Sequence, residues 1–168
     1  MNLETRREKM KKFAAIMLVV FMGILLASSA LAESATRDEC VTKCKEAVQL
    51  IIEKGQEAAL PELNNKDGKF VWKDSYVFVL DFSGKHLTHP LRPELVGKNV
   101  IDTKVDGKFL VKEMIEVAKI KGEGWVEYMY PKPAELKKPE KERILSKKVT
   151  YIYRVPDKDI FVGAGVWE

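Results

Sequence analysis

Residues 147–167 read Lys-Lys-Val-Thr-Tyr-Ile-Tyr-Arg-Val-Pro-Asp-Lys-Asp-Ile-Phe-Val-Gly-Ala-Gly-Val-Trp, and this stretch decides the fold. Two segments rich in β-branched and aromatic residues, 147–154 and 160–167, flank a short turn at 156–159. That arrangement is typical of two antiparallel strands. Residues 124–130, Gly-Trp-Val-Glu-Tyr-Met-Tyr, have the same character, so three consecutive strands are predicted at the end of the chain.

Upstream of these strands, the periodicity of apolar residues predicts helices as well as strands. An amphipathic helix is predicted over residues 109–121, where apolar residues recur at a helical period. Residues 75–81 and 86–89 predict two further strands separated by a tight turn. A long helix is predicted over residues 38–54, since Gly55 is a plausible end for it.

The order of these elements predicts the fold class. Neighbouring strands joined by short turns favour an antiparallel sheet with helices packed on it, which is an α+β fold. We therefore expect a PAS-like five-stranded antiparallel sheet with a long N-terminal helix and a crossover helix. The remaining segments predict a short helix at 57–63 and loops at 91–107 and 131–146.

The first 32 residues differ from the rest of the chain. They carry five basic and two acidic side chains, an apolar run from Phe13, and the ending Ala30-Leu31-Ala32. This pattern predicts a secretory signal peptide cleaved after Ala32, with an uncleaved membrane anchor as the alternative. We expect the protein to be periplasmic or secreted, or else membrane-anchored by its leader.

Residues 33–168 predict one domain with an almost balanced charge. They contain 24 basic and 23 acidic side chains, so most of the net charge of +4 belongs to the leader. Nothing in this balance favours nucleic acid as a partner. Two histidines and two cysteines make a multi-ligand metal site improbable, and we expect no cofactor.

Cys40 and Cys44 are the two cysteines of the chain, and both lie on the predicted N-terminal helix. Their spacing of four places them on one helix face, although this is a wide separation for a disulfide. Exported thiols tend to pair, so we predict a local disulfide between them. A redox switch is the alternative.

Several short motifs follow one another through residues 38–168. In chain order they are Tyr76–Asp81, Gly84, Thr88–Pro90, Leu95–Asn99, Phe109 with Glu113 and Met114, Gly122–Tyr128, Pro131–Pro133, Lys148–Val155 and Val162–Val166. On these motifs the chain resembles a single Cache domain. The resemblance implies an extracytoplasmic, PAS-like module that binds a small carboxylate or another small metabolite in a pocket over its sheet.

The resemblance also implies a role in signalling. Cache domains usually belong to chemoreceptors and histidine kinases, where a membrane helix follows them. Here Glu168 directly follows the last predicted strand, so we expect this copy to signal or deliver its ligand through a membrane-bound signalling or transport partner. A homodimer through the N-terminal helix is a further possibility, although that helix has no sustained heptad.

A small carboxylate needs a cation and a few hydrogen-bond donors in a mostly apolar pocket. The candidate ligand-binding residues are Tyr76, His89, Trp125, Tyr128, Tyr130, Lys148 and Tyr151. Lys148 stands where the family often has a ligand-binding lysine, and the alternative is a solvated lysine. Lys148 and Tyr151 are three apart, so a regular strand places them on opposite faces unless a bulge intervenes.

The two histidines have different predicted roles. His89 before Pro90 could donate to a carboxylate or act as a pH-dependent switch, or it could simply order the turn. We expect His86 to be exposed.

The sequence supports two functional hypotheses and disfavours a third. The leading hypothesis is an exported, non-enzymatic module that binds a short-chain carboxylate. The alternative is an accessory interaction module of a membrane kinase, transporter or redox complex with no ligand of its own. Catalysis is disfavoured, because no recognisable nucleophile cluster, metal-ligand spacing or phosphate loop is present.

Overall fold

The structure is a computed structural model that describes residues 33–105 and 107–168. The predicted signal peptide and its cleavage site at Ala32 lie outside the described residues. Within the described part of the chain, every helix is too short or too polar to span a bilayer.

A long helix, α1, opens the described chain and spans Arg37–Lys54, one residue longer than predicted. Its start is defined by a capping box, in which the Thr36 side chain accepts from the Glu39 backbone and the Glu39 carboxylate accepts from the Thr36 backbone. Gly55 ends α1 with a φ of 80°, a backbone conformation that favours glycine.

The remaining elements follow the predicted order closely. They are α2 Gln56–Leu63, β1 Val71–Trp72, β2 Ser75–Asp81, β3 His86–Thr88, α3 Leu110–Glu116, β4 Glu123–Pro131, β5 Leu145–Arg154 and β6 Ile160–Trp167. The predicted helix over residues 109–121 has two parts. The α-helical part, α3, spans Leu110–Glu116, and a π-helical turn follows it over Val117–Lys121.

The strands form one antiparallel sheet in the order β1-β2-β6-β5-β4, with β3 paired to β2. The sheet has six strands rather than five, because β1 folds back on β2 through a turn at Lys73 with a φ of 48°. The α+β, PAS-like architecture with a long N-terminal helix and a crossover helix is confirmed.

The alternation of side chains along each strand gives the sheet two apolar faces. On β2, Val77 and Val79 pack on the face that α1 and α2 cover. Tyr76, Phe78 and Leu80 pack on the opposite face, which α3 covers. The candidate site lies on the α3 face.

The predicted disulfide between Cys40 and Cys44 is wrong: both are free thiols, fully buried between α1 and the sheet. The two side chains have separate neighbours, because each projects from its own turn of the helix. Cys40 Sγ lies 3.8 Å from Ser75 Oγ, and Cys44 Sγ lies 3.9 Å from the carbonyl oxygen of Tyr151. The thiols therefore serve as small apolar groups that fill the core.

Both thiols are expected to resist alkylation in the folded protein. Burial raises the pKa of Cys40 to about 11 and also raises the pKa of Cys44, so little reactive thiolate forms near neutral pH. Iodoacetamide labelling followed by intact mass spectrometry should add no label to native protein and two labels after denaturation. Rapid native labelling of either cysteine would contradict this burial.

Candidate functional site: a cavity between the sheet and α3

A cavity of about 60 Å³ lies between the sheet and α3. Its walls are Tyr76, Phe78 and Leu80 of β2, Tyr128 and Tyr130 of β4, His86 and His89 at β3, and Leu110, Val111 and Met114 of α3. A water molecule needs roughly 10–15 Å³ on this measure, so the cavity holds about four small non-hydrogen atoms. Its size and its mixture of apolar walls with a few polar groups suit a very small organic molecule.

Lys148 of β5 contacts the cavity wall and is only 1% exposed. Its Nζ lies 4.4 Å from the ring centroid of Tyr76, 4.2 Å from that of Trp167 and 5.3 Å from that of Tyr130. It also donates to the Tyr76 hydroxyl at 3.3 Å. In the described part of the chain, Lys148 makes no ion pair with a carboxylate. Burial accordingly lowers its pKa to about 7.

Gly165 of β6 explains how Lys148 reaches this position. A Cβ atom at residue 165 would lie 2.8 Å from Lys148 Cε and 2.3 Å from Thr150 Oγ1. Because glycine has no Cβ, the lysine stem can lie flat across β6 and bring Nζ to the aromatic rings. The neighbouring Thr150 hydroxyl is hydrogen-bonded to the Tyr128 hydroxyl at 2.9 Å, which fixes that wall.

Two histidines form the side of the cavity next to β3. His86 is 8% exposed and His89 is 3% exposed, with ring centroids 5.5 Å apart. Burial lowers the pKa of His86 to about 4 and also lowers the pKa of His89, so both rings are neutral near pH 7. A neutral imidazole offers one donor and one acceptor.

Three polar atoms along β3 and its end are buried without a hydrogen-bond partner among residues 33–105 and 107–168. They are His86 Nδ1, Thr88 Oγ1 and His89 Nδ1. Buried polar groups in native proteins are rarely left unpaired, because each unpaired group costs about 1–3 kcal/mol. This cluster is consistent with a region that water or a polar ligand completes.

Arg92 adds a second positive charge near the cavity. It is half-buried, and its guanidinium donates to the Tyr130 hydroxyl at 3.1 Å and to Glu94 at 2.9 Å. Its backbone N–H donates to the His89 carbonyl at 3.0 Å, so the turn after β3 places the two residues together. Arg92, in the turn after β3, thus fixes the hydroxyl of the cavity-lining residue Tyr130 through a hydrogen bond.

Within the described residues, the wall of the cavity carries no acidic side chain, and two basic residues contact it. None of the ten lining residues has a carboxylate, while Lys148 and Arg92 both contact lining tyrosines. In the ranges described, no group of three or more histidine, cysteine or acidic side chains could hold a metal ion. The geometry therefore favours a small anion over a metal ion.

The structure brings five of the seven predicted site residues together and separates two. Four of them, Tyr76, His89, Tyr128 and Tyr130, line the cavity, and Lys148 contacts it. Trp125 and Tyr151 instead pack together on the α1 face of the sheet. The reason is the uninterrupted pairing of β5 with β6, which has no bulge to turn Tyr151 towards Lys148.

Sequence reasoning missed two residues at the cavity. The expectation that His86 is exposed is wrong, because the segment after β3 folds back and bonds both backbone groups of His86, to Lys98 and Gly97. Arg92 is the other missed residue, although a basic residue three positions after His89 was a usable signal. The lysine that the family resemblance pointed to is buried rather than solvated.

Comparison with known families identifies related sequences. The Cache domain family model matches residues 51–168. The sensor histidine kinase MctS of Rhizobium johnstonii is 30% identical over 96 residues, which cover 56% of this chain and 19% of the kinase. The chain thus spans about a fifth of the length of that relative.

Solved structures share the fold at low sequence identity. One is a periplasmic sensor domain of a chemotaxis protein, with TM-score 0.59, 20% identity and coverage of 77% of this chain and 88% of the other. A methyl-accepting chemotaxis protein from Vibrio parahaemolyticus has TM-score 0.62 and 22% identity, covering 78% and 87%. A Cache chemosensory domain described for carboxylic acid recognition has TM-score 0.56 and 23% identity, covering 99% of both chains.

Proposed function

Since this chain belongs to the Cache domain family, a family of ligand-sensing domains, we propose that it is a non-enzymatic sensor for a short-chain carboxylate that binds beside Lys148. The observation that carries the proposal is the buried lysine itself. A cation with no carboxylate partner in the described chain, beside a cavity with no acidic wall residue, is costly unless an anion completes it. The related domain described for carboxylic acid recognition supports the same ligand class.

The binding mode follows from the positions of the polar groups. In the proposal, the ligand carboxylate lies near Lys148 Nζ and the Tyr76 hydroxyl. The neutral rings of His86 and His89 supply further hydrogen bonds, and the α3 side chains surround the short hydrocarbon part. The small volume favours the shortest acids, of about two or three carbons, over longer ones.

We further propose that α1 passes the signal to a membrane-bound kinase, chemoreceptor or transport partner outside the cytoplasm. A continuous set of contacts supports this route. Gly165 lies under Lys148, its carbonyl accepts from Ser75 Oγ at 2.8 Å, and Ser75 contacts Cys40 of α1. A homodimer through α1 and a cleaved or anchoring leader remain parts of this proposal.

The carboxylate proposal is tested by thermal shift with a panel of C2–C4 acids and their amides. An acid of the right size should raise the unfolding temperature by an amount that grows with the logarithm of its concentration above the Kd, because it binds only the folded state. The amide of the same acid has nearly the same shape without the charge, so it should have little effect. Two results would rule out an anion-selective cavity. One is equal stabilisation by an acid and its amide, and the other is no stabilisation by any acid of the panel.

A further inference from the structure

We propose that the cavity takes up a proton together with its anionic ligand, and that Lys148 is the group that receives it. This inference rests on the proposed function, because it concerns the same cavity and the same class of ligand. It adds a property that the ligand class alone does not imply: ligand binding depends on pH above neutrality.

The surroundings of Lys148 favour the neutral amine while the cavity is empty. Its Nζ is enclosed by the rings of Tyr76, Tyr130 and Trp167, and among residues 33–105 and 107–168 it makes one hydrogen bond, to the Tyr76 hydroxyl. Aromatic faces attract an ammonium group, but they replace only part of the water that burial removes. A carboxylate that enters the cavity adds the missing negative charge, so it favours the protonated lysine.

Titratable and charged groups surround Lys148 and its aromatic neighbours from several elements of the fold. They are Tyr76 of β2, Tyr130 of β4, Cys40 of α1, Asp74 before β2, and His89 and Arg92 after β3. Asp74 and Cys40 favour the charged lysine only from a distance. The Asp74 carboxylate accepts from the Ala35 backbone at 2.7 Å, and Cys40 faces Ser75. From α3, the wall is apolar.

The other groups near the cavity titrate in a different pH range. Burial lowers the pKa of His86 to about 4, lowers that of His89, and raises those of Tyr76 and Tyr128. The Cys40 thiol has a pKa of about 11. With its pKa near 7, Lys148 is thus the group at this site, within the described residues, that changes charge between about pH 6 and pH 8.

The sign of the effect follows from the two states of the lysine. Below about pH 7 the lysine is charged with or without ligand, so binding takes up no proton. Above that pH it is neutral in the empty cavity and charged beside the ligand, so each ligand brings a proton. The affinity should therefore fall as the pH rises, by about tenfold between pH 6 and pH 8.

Isothermal titration calorimetry of the wild-type protein with propionate tests this proposal directly. We expect the Kd to be about tenfold weaker at pH 8 than at pH 6. At pH 8 the apparent enthalpy should differ between Tris and HEPES buffers by an amount that corresponds to about one proton. A Kd that is equal at both pH values, with the same enthalpy in both buffers, would overturn proton uptake and leave the carboxylate proposal standing. No binding of propionate or any panel acid at either pH would overturn both proposals.

A matched pair of variants identifies the group that takes up the proton. Lys148→Arg keeps a positive charge throughout this pH range, so its Kd should be nearly independent of pH. Lys147→Arg makes the same change at the adjacent exposed lysine, which pairs with Glu127 and Glu168, and should keep the wild-type pH dependence. Persistence of the full pH dependence in Lys148→Arg would assign the proton to another group. If Lys148→Arg does not fold, the two-buffer measurement on the wild type decides the proposal alone.

Discussion

A Lys148→Met variant is expected to bind short carboxylates at least about 100-fold more weakly than the wild type and yet to be more stable. Both effects come from one cause, the burial of an amine without a carboxylate partner. A lysine whose pKa falls from 10.5 to about 7 on folding costs about 4–5 kcal/mol as an upper bound. Methionine occupies a similar volume without that cost but loses the attraction of the rings, so we expect a gain of about 2–4 kcal/mol.

The pH dependence of this gain is a second check on its origin. The folded pKa of Lys148 lies below the unfolded one, so the unfolded chain binds more protons between about pH 7 and pH 10. The cost of the lysine is therefore complete below about pH 7 and shrinks as the pH rises. Urea unfolding at several pH values should show the Met variant gaining most at pH 6 and least near pH 10.

Lys147→Met is the matched control for this substitution. Lys147 is exposed and pairs with Glu127 at 3.1 Å, so its loss should change the unfolding free energy by less than about 1 kcal/mol. Carboxylate binding should remain as in the wild type. Two results would contradict this account of the Lys148 amine. If the Lys148→Met protein is less stable than the wild type at pH 6, burial of the amine is not costly. If it binds carboxylates equally well, the amine does not hold the ligand.

Substitution of Gly165 with alanine is expected to destabilise the domain by about 2–3 kcal/mol and to weaken carboxylate binding. The added Cβ would lie 2.3 Å from Thr150 Oγ1 and 2.8 Å from both Lys148 Cε and the Val149 carbonyl oxygen. The backbone oxygen belongs to the paired neighbouring strand and cannot move away easily. The lysine stem must therefore shift, which moves Nζ relative to the Tyr76 hydroxyl.

Gly124→Ala provides the comparison within the same sheet. A Cβ at residue 124 meets one close atom, the side-chain Cγ1 of Val117 at 2.9 Å, and no backbone atom of the described residues. We expect this variant to lose less than about 1 kcal/mol and to bind carboxylate normally. Urea unfolding and calorimetry on both variants separate the two cases. Similar losses of stability and carboxylate affinity in both variants would mean that the packing of Lys148 over β6 has no special role in ligand binding.

Much of the fold could be predicted because its signals are local. Apolar residues at a helical period marked α1, and segments rich in β-branched and aromatic residues between turns marked the strands; both depend on residues only a few positions apart. The extra strand β1 escaped prediction because it has two residues and depends on the turn at Lys73. The disulfide prediction failed because it relied on the helix spacing of Cys40 and Cys44. In the structure each thiol is buried in the core beside a different neighbour.

The candidate site was predictable only in part. Strand alternation already separates Lys148 from Tyr151, but alternation does not reveal which face of the sheet holds a cavity. The position of the cavity depends on where α1 and α3 pack on the sheet. The cavity lies on the α3 face, whereas Tyr151 lies on the α1 face. His86 was missed for a related reason, because its burial comes from a segment that returns to it about ten residues later.

Local patterns along the chain set the order of the helices and strands, the faces that side chains share and the family resemblance, since each arises from neighbouring residues or short motifs. The enclosure of Lys148 by Tyr76 and Trp167, which are 72 and 19 positions away from it, comes from tertiary packing. Desolvation depends on all atoms that surround a group in space. The charge state of this lysine, and with it the proposed chemistry of the site, is therefore a property of the folded chain.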